Sequence, residues 1–278
     1  STPCEHSFPT RRSSDLRFNM EKVIKKKIIK KGIISLILVT VVIFTYITLG
    51  NGNFLVDSKV QKKVPIYSVE TSEKKISFTF DISWGLDNVE EILDVLDEYN
   101  VKATFFVVGG WIDYDLKNAE MVKEIHKRGH EIGNHSNMHP DMSKISKDRI
   151  IKELEATSAK IKNITNEDVK LFRCPSGAYN NLLIDTAQGL NYYVIQWDVD
   201  SIDWKSEGSE IEYNRVIDKT KAGSILLFHN DAKYTPKNIP RIIQYFKSKG
   251  YEIVKVGDLI YKENYKIDSL GVQKLMNQ

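Results

Sequence analysis

Two regimes of hydrophobic patterning divide the chain. From Gly32 to Val56 no residue carries a charge, and the apolar heart of that run, Ile33 to Leu49, has no polar face, which is the mark of a membrane-embedded helix rather than of a soluble one. Beyond Ile76, short apolar runs of strand length alternate with longer segments of helical period. They read Ile76 to Asp81 then Val89 to Tyr99, Ala103 to Val108 then Ala119 to Arg128, Glu131 to Asn134 then Asp148 to Ile164, and Leu171 to Arg173 then Leu182 to Leu190. The series continues with Tyr193 to Asp198, Ile211 to Lys221, Ser224 to His229, Ile239 to Lys249 and Tyr251 to Val256. Strand-helix alternation predicts an α/β domain with a parallel sheet, and the seven units point to a barrel or a doubly wound sheet.

Charge sharpens the first regime. Lysines 22, 25, 26, 27, 30 and 31 precede the apolar run, so the positive-inside rule places the N-terminus in the cytoplasm and everything after the helix outside. The first alanine is Ala103, so no A-x-A cleavage site follows the run and an uncleaved anchor over 32–50 is expected, with cleavage after another small residue as the alternative. Residues 7–16 read as the translation of a sequencing-adapter oligonucleotide, which makes 1–19 a scar and Met20 the expected native start. Residues 20–31 form a basic cytoplasmic segment and the polar stretch 51–74 reads as a stalk. The catalytic domain is expected over 75–261, and 262–278 as a terminal helix or frayed tail.

Residues 1–31 hold 9 Lys+Arg against 3 Asp+Glu, leaving 31 against 34 for the remainder, so the net charge of +3 does not describe a nucleic-acid-binding surface. There is no G-x-G-x-x-G or Walker-type loop, which excludes a nucleotide cofactor. Only Cys4 and Cys174 occur, and Cys4 lies in the discounted segment, so the fold rests on its core rather than on a disulfide.

In open and closed α/β sheets, functional groups collect at the carboxyl ends of strands. Strand one alternates as Ile-Ser-Phe-Thr-Phe-Asp, putting Ser77, Thr79 and Asp81 on one face. Strand three is followed by His135-Ser-Asn-Met-His139, two imidazoles able to converge on one metal, and strand four exits as Arg173-Cys-Pro-Ser176-Gly. Strand five exits through Asp198, Asp200, Asp203 and Trp204, and strand six ends in Leu227-Phe-His229. Any one of these has a bland reading as a cap or a packed polar group.

Together, T-F-D, H-S-x-x-H, R-x-P-x-G, D-x-x-D-W and L-x-H in this order resemble the NodB-homology polysaccharide deacetylases, carbohydrate esterase family 4, over about Ile76 to Leu259. The Phe80-to-Gly85 version resembles the PdaB-like sporulation branch. The resemblance implies a distorted (β/α)7 barrel preceded by one transmembrane helix, acting on cell-wall polysaccharide, peptidoglycan above all. By the same resemblance His135 and His139 would bind a divalent metal, most often zinc, Asp81 would be the general base, and Arg173 would orient it. His229 would protonate the departing amine, Asp203 would charge His229, the backbone N–H near Ser176 would hold the oxyanion, and Trp204 and Leu227 would line the acyl pocket. His126, His130 and Cys174 read as structural.

One position departs from the family pattern. Where a second carboxylate, the third metal ligand, is usual, this chain has Ile82, and two imidazoles alone make a weak site. Two expectations follow: an active deacetylase with a weakened metal site, or a catalytically degenerate domain that binds wall glycan.

Overall fold

The structure, a computed structural model, describes residues 13–50 and 62–276. These belong to two units divided after Gln61. The first is one helix, α1 (Ser13–Gly50). Within it Met20–Thr45, 26 residues that include an 18-residue stretch of mean hydropathy 2.2, is long and apolar enough to cross a membrane, since 26 residues at about 1.5 Å each exceed a hydrocarbon core of about 30 Å. The hydroxyls of Thr40 and Thr45 donate to carbonyls one turn back at 2.8–3.0 Å, which satisfies them within the helix. Most of the discounted N-terminal segment, residues 1–12, lies outside the described residues, as do 51–61 of the expected stalk.

The second unit begins at Lys62 and runs β1 (Ser68–Val69), β2 (Lys75–Ile82), α2 (Val89–Glu98), β3 (Thr104–Val107), α3 (Gly109–Tyr114), α4 (Leu116–Lys127), β4 (Glu131–Asn134), α5 (Lys147–Thr165), β5 (Leu171–Phe172) and α6 (Asn181–Gly189). It continues with β6 (Tyr193–Val194), β7 (Val199–Asp200), α7 (Ser209–Lys219), β8 (Ile225–His229), α8 (Thr235–Ser248), β9 (Glu252–Ile253), α9 (Val256–Leu259), β10 (Tyr265–Ile267) and β11 (Val272–Leu275). The main sheet has the order β6-β5-β4-β3-β2-β8-β7, with β9 on the first residues of β2. All its pairings are parallel. It is a curled half-barrel of the α/β class, in line with the distorted barrel that the family resemblance implies and with one of the two architectures that the alternation leaves open.

Phe78, Phe80 and Ile82 of β2 join Phe105, Phe228, Leu96, Ile242 and Phe246 in the main core. Phe80 stacks between Phe105 and Phe228 at centroid distances of 5.0 and 5.6 Å. Each such buried ring contributes roughly 1.5–3 kcal/mol, so the central strands are the best-anchored part of the molecule. The alternate residues Ser77, Thr79 and Asp81 are buried too, and Thr79 Oγ1 donates to Leu226 O at 2.5 Å.

Three expectations are corrected. The fifth strand is not continuous: β6 and β7 lie at opposite edges of the sheet, and residues 195–198 cross the opening between them. Backbone pairing cannot span that gap, so the strand breaks there. Second, residues 62–74 are not stalk. Ile66 bridges to Ile195, its N–H donating to Val194 O while Gln196 N–H donates to Ile66 O. Val69 N–H donates to Gly223 O at 2.9 Å. The segment thus straps the open side of the barrel, with Ile66 and Val69 buried. Third, 262–276 is no terminal helix: β10 and β11 form a hairpin whose second strand pairs with β1. Gln273, fully buried, exchanges side-chain hydrogen bonds with both backbone groups of Tyr261 at 2.8 Å.

Candidate active site

β2 and β8 are neighbours in register, Asp81 opposite His229, and their two side chains carry opposite electrostatics. Asp81 Oδ1 accepts from Arg173 Nη1 at 2.8 Å. Arg173 is fully buried, its guanidinium 4.1 Å from the Phe106 ring centroid and 5.5 Å from that of Trp197, and Nη2 donates to Gln196 O at 3.2 Å. Burial alone would raise the Asp81 pKa, but the Arg173 charge and the neighbouring imidazoles outweigh it and hold the carboxyl below its ordinary value. Asp81 is therefore an anion at neutral pH.

On the next strand the logic is reversed. Asp203, almost fully buried, accepts from His229 Nδ1 at 2.7 Å, His229 N at 2.7 Å, Trp204 N at 2.8 Å and Thr235 Oγ1 at 2.9 Å. Burial works against the imidazolium, yet the Asp203 hydrogen bond and charge push His229 up to about 9. His229 is a proton donor at neutral pH and Asp81 an acceptor, side by side at the carboxyl ends of adjacent strands.

His135 and His139 follow β4. His135 Nδ1 lies 3.0 Å from the Arg173 carbonyl, an acceptor, so Nδ1 carries the proton and Nε2 keeps its lone pair, facing Asp81 Oδ2 at 3.5 Å. Burial, opposed by Asp81, brings His135 down to about 4, which leaves it neutral. The two imidazole centroids are 4.9 Å apart. The turn that brings them together is over-determined: Asn134 Oδ1 accepts from Ser136 N at 2.8 Å, Ser136 Oγ accepts from His139 N at 2.9 Å, and the buried Glu153 accepts from Asn137 N and Met138 N at 2.8 and 2.7 Å. Arg149 in turn binds Glu153 at 2.6 and 2.9 Å. Ser136 (φ 66°) and His139 (φ 52°) sit in the left-handed region, as do Ser176 (φ 52°) and the β-branched Ile202 (φ 56°). Backbone strain of this kind gathers where surrounding contacts hold it, commonly at functional sites.

Asp81, His135, His139, Ser176, Trp204, Leu227 and His229 line one cleft of about 490 Å³, together with Ser83, Trp84, Trp197, Asp200, Asn230 and Asp231. Arg173 and Asp203 stand behind it as buried partners. The residues assigned site roles are therefore at this cleft or against it, whereas Asp198 of the same strand-exit pattern accepts from Ser224 Oγ and Ile225 N at the start of β8, the end of that strand away from His229. Sequence reasoning missed Glu153, Thr235 and Glu212. Thr235 Oγ1 bridges Asp203 to the buried Glu212, 3.3 Å from its Oε1, and burial raises Glu212 to about 7. Both glutamates fall in the apolar stripes of their helices, Glu153 between Ile150 and Thr157 and Glu212 one turn before Val216, which is where a buried charge shows itself in sequence. Cys174 is fully buried and its thiol is pushed up to about 12 by burial, so it packs and does not react. His130 accepts from Ala103 N at 3.1 Å through Nδ1, a structural contact.

The residues present do not fit a metal site with three protein ligands. Ile82 is fully buried, belongs to the main core and does not line the cleft. Among the described residues no group of three His, Cys, Asp or Glu side chains is disposed to hold an ion.

A carboxylate paired with Arg173 and an imidazole paired with Asp203, on adjacent strands at the carboxyl end of a curled parallel sheet and beside two further imidazoles, form the arrangement that the polysaccharide deacetylase resemblance implies. The comparisons agree. The family model described as polysaccharide deacetylase matches residues 68–195. The uncharacterized Bacillus subtilis protein YlxY is 35% identical over 196 residues, 70% of this chain and 60% of that protein. The peptidoglycan-N-acetylglucosamine deacetylase of Bacillus cereus is 32% identical over 199 residues, 70% of this chain and 92% of its own length. Among solved structures, a CE4 family pseudoenzyme from Bacillus anthracis superposes with a TM-score of 0.67 at 33% identity, covering 70% of this chain and 68% of its own. A mutant of it with restored enzymatic activity gives a TM-score of 0.67 at 34% identity, covering 70% and 71%. This chain belongs to the polysaccharide deacetylase family, carbohydrate esterase family 4.

Proposed function

We propose that this protein is a membrane-anchored deacetylase that hydrolyses N-acetyl groups of cell-wall glycan, peptidoglycan in particular. The observation that carries the reading is the pair of opposed buried partners, Asp81 with Arg173 and His229 with Asp203, at one cleft. Asp81, ionised and oriented, takes a proton from the attacking water, and His229 delivers one to the departing amine. The backbone N–H near Ser176 holds the oxyanion, and Trp204 and Leu227 receive the acyl methyl. The apolar helix anchors the chain in the cell membrane with its basic end in the cytoplasm and the catalytic unit outside, close to wall glycan. The sporulation branch resemblance makes spore wall a natural setting.

Zinc is the expected ion for His135 and His139, held loosely because Ile82 stands where a carboxylate is usual. The two proton transfers run through Asp81 and His229, and the ion, when bound, would polarise the acyl carbonyl. A second reading is favoured by that same Ile82 and by the similarity to a pseudoenzyme: a degenerate domain that binds glycan without turnover. Metal analysis of the purified full chain combined with acetate release from peptidoglycan separates the two. The first reading expects acetate release that rises with added zinc and is lost in His135→Ala; a metal-free protein that releases no acetate from any glycan refutes it. Ile82→Asp is expected to raise metal affinity and rate, against the cost of placing a carboxylate in the apolar core.

A further inference from the structure

A buried carboxyl stands behind Asp203 and His229 with no part in the steps above. Glu212, in the first turn of α7, is 4% exposed, and among the described residues its buried Oε2 has no hydrogen-bond partner. Its Oε1 lies 3.3 Å from Thr235 Oγ1, and the same hydroxyl lies 2.9 Å from Asp203 Oδ2. Two oxygen–oxygen contacts thus meet at one hydroxyl, which has a single proton to give. Each contact needs a proton between its oxygens, so the second proton comes from a carboxyl.

Asp203 is not the holder of that proton. Its Oδ1 already accepts from His229 Nδ1 and Trp204 N, and its Oδ2 from His229 N, a set of donors that suits a carboxylate. Glu212 has no comparable set. Arg241 of α8 binds Glu210, Arg215 of α7 donates through Nε to Asp200 O, and the Asn238 amide donates to Ser209 O. Glu207, which lines a small cavity with Glu212 and Arg215, adds a further acid. A bare buried oxygen costs far less on a neutral acid than on a carboxylate. The electrostatics agree: burial, with the Asp203 charge beside it, outweighs the Asn238 and Thr235 hydrogen bonds and raises Glu212 to about 7.

We infer that Glu212 is a positioning residue for the proton donor His229: a neutral carboxyl that donates to Thr235 Oγ1 and so commits the Thr235 proton to Asp203, the partner of His229. The inference rests on the reading of His229 as the acid of an amide hydrolysis. Apolar sites elsewhere keep a carboxylic acid neutral so that it serves as a donor. Ionisation of Glu212 breaks the chain, because the carboxylate competes for the one hydroxyl proton and sets a second negative charge behind Asp203. His229 then holds its own proton more tightly, and protonation of the departing amine slows. Groups linked in this way titrate together, so the state of Glu212 is written into the titration of His229.

The test compares the full chain in detergent as wild type, as Glu212→Gln, whose amide still donates to Thr235 but does not titrate, and as Thr235→Val, which removes the link at nearly constant volume. In mildly acidic buffer, the infrared difference between wild type and Glu212→Gln is expected to contain a protonated-carboxyl band. NMR titration of the His229 imidazole is expected to show a minor step at about 7 before the main one at about 9 in wild type. Only the main step is expected in Glu212→Gln, and a smaller minor step in Thr235→Val. As pH rises through the minor step, acetate release by wild type is expected to fall about two- to tenfold, the worth of one hydrogen bond, while Glu212→Gln holds its rate over the same interval. A difference spectrum without the carboxyl band, or a single-step His229 titration identical in wild type and Glu212→Gln, overturns the inference even where acetate is released. A minor step undiminished in Thr235→Val overturns the hydroxyl link and with it the inference. If neither wild type nor Glu212→Gln releases acetate at any pH, the acid reading of His229 fails and the inference falls with it.

Discussion

Replacing Asp203 with asparagine is expected to bring the His229 imidazole from about 9 back to 6.5 or below, because burial lowers it once the carboxylate is gone. At about 1.36 kcal/mol per pH unit, the shift of His229 from 6.5 to about 9 corresponds to roughly 3 kcal/mol of preference for the imidazolium in the folded state. The direction of the pH effect follows. A pKa raised by folding contributes its full stabilisation below the unfolded value, loses it as pH rises, and has none left above the folded value. Wild type is therefore expected to lose roughly 3 kcal/mol from this pair between about pH 6.5 and 9, and Asp203→Asn to show no such loss. The substituted side chain still accepts through its amide oxygen but offers one acceptor atom where the carboxylate offers two, so a constant destabilisation accompanies the change. Only the difference in slope between the two proteins reports on the pair. Imidazole NMR titration of His229 gives the pKa directly, and urea unfolding at about pH 6 and 9.5 gives the slope. At neutral pH the variant holds His229 largely unprotonated, and acetate release is expected to fall about a hundredfold. A wild-type His229 that titrates near 6.5, or a variant that still titrates near 9, refutes the assignment of His229 as the resident acid.

Two further outcomes test the frame around it. Arg173→Met leaves the Asp81 carboxylate buried and unpaired, expected to cost about 3–5 kcal/mol at neutral pH. Because the Asp81 pKa is held below its ordinary value, the pair contributes above that ordinary value and loses its contribution as pH falls through the folded one, so the deficit measured by urea unfolding should shrink in acid. Gly223→Ala places a Cβ 1.7 Å from Val69 O at a residue with φ +80°. A left-handed non-glycine residue alone costs about 1–2 kcal/mol, so a loss of more than 2 kcal/mol is expected together with faster amide exchange at Ile66 and Val69. Unchanged exchange there would mean that the strap does not depend on this contact.

The parts of the molecule that are legible in sequence are those stabilised by local pattern. The apolar run Glu131 to Asn134 has the bounds of β4, and the period-two alternation through Asp81 puts Ser77, Thr79 and Asp81 together in the interior. Strand exits carry the polar groups that line the cleft. What cannot be read is held by remote partners. Ser68–Val69 is a strand only because Val272 and Gln273 pair with it, and Gln273 is buried only because Tyr261 satisfies its amide, so the polar composition of both segments suggests stalk and tail. The break in the fifth strand has no local mark either, since it depends on the gap between β6 and β7 that closure of the sheet creates.

Ile82 and the acid–base frame bear on different questions. A buried Arg–Asp pair costs desolvation that well-packed apolar residues of similar volume would avoid, often with a gain in stability. Here Arg173 and Asp81 are both retained, Asp203 commits its acceptor capacity to His229 and its surroundings, and left-handed strain is held at Ser136, His139, Ser176 and Ile202. These features converge on one cleft, apart from the barrel's core among the phenylalanines of β2, β3 and β8. They are the costs of holding one proton acceptor and one proton donor in fixed positions. A domain that only bound glycan would need the aromatic rim and the shape of the cleft, but not a carboxylate kept ionised beside an imidazole kept protonated. On the proposed reading Ile82 therefore bears on how fast the site turns over, while the opposed pairs argue for turnover over glycan binding alone.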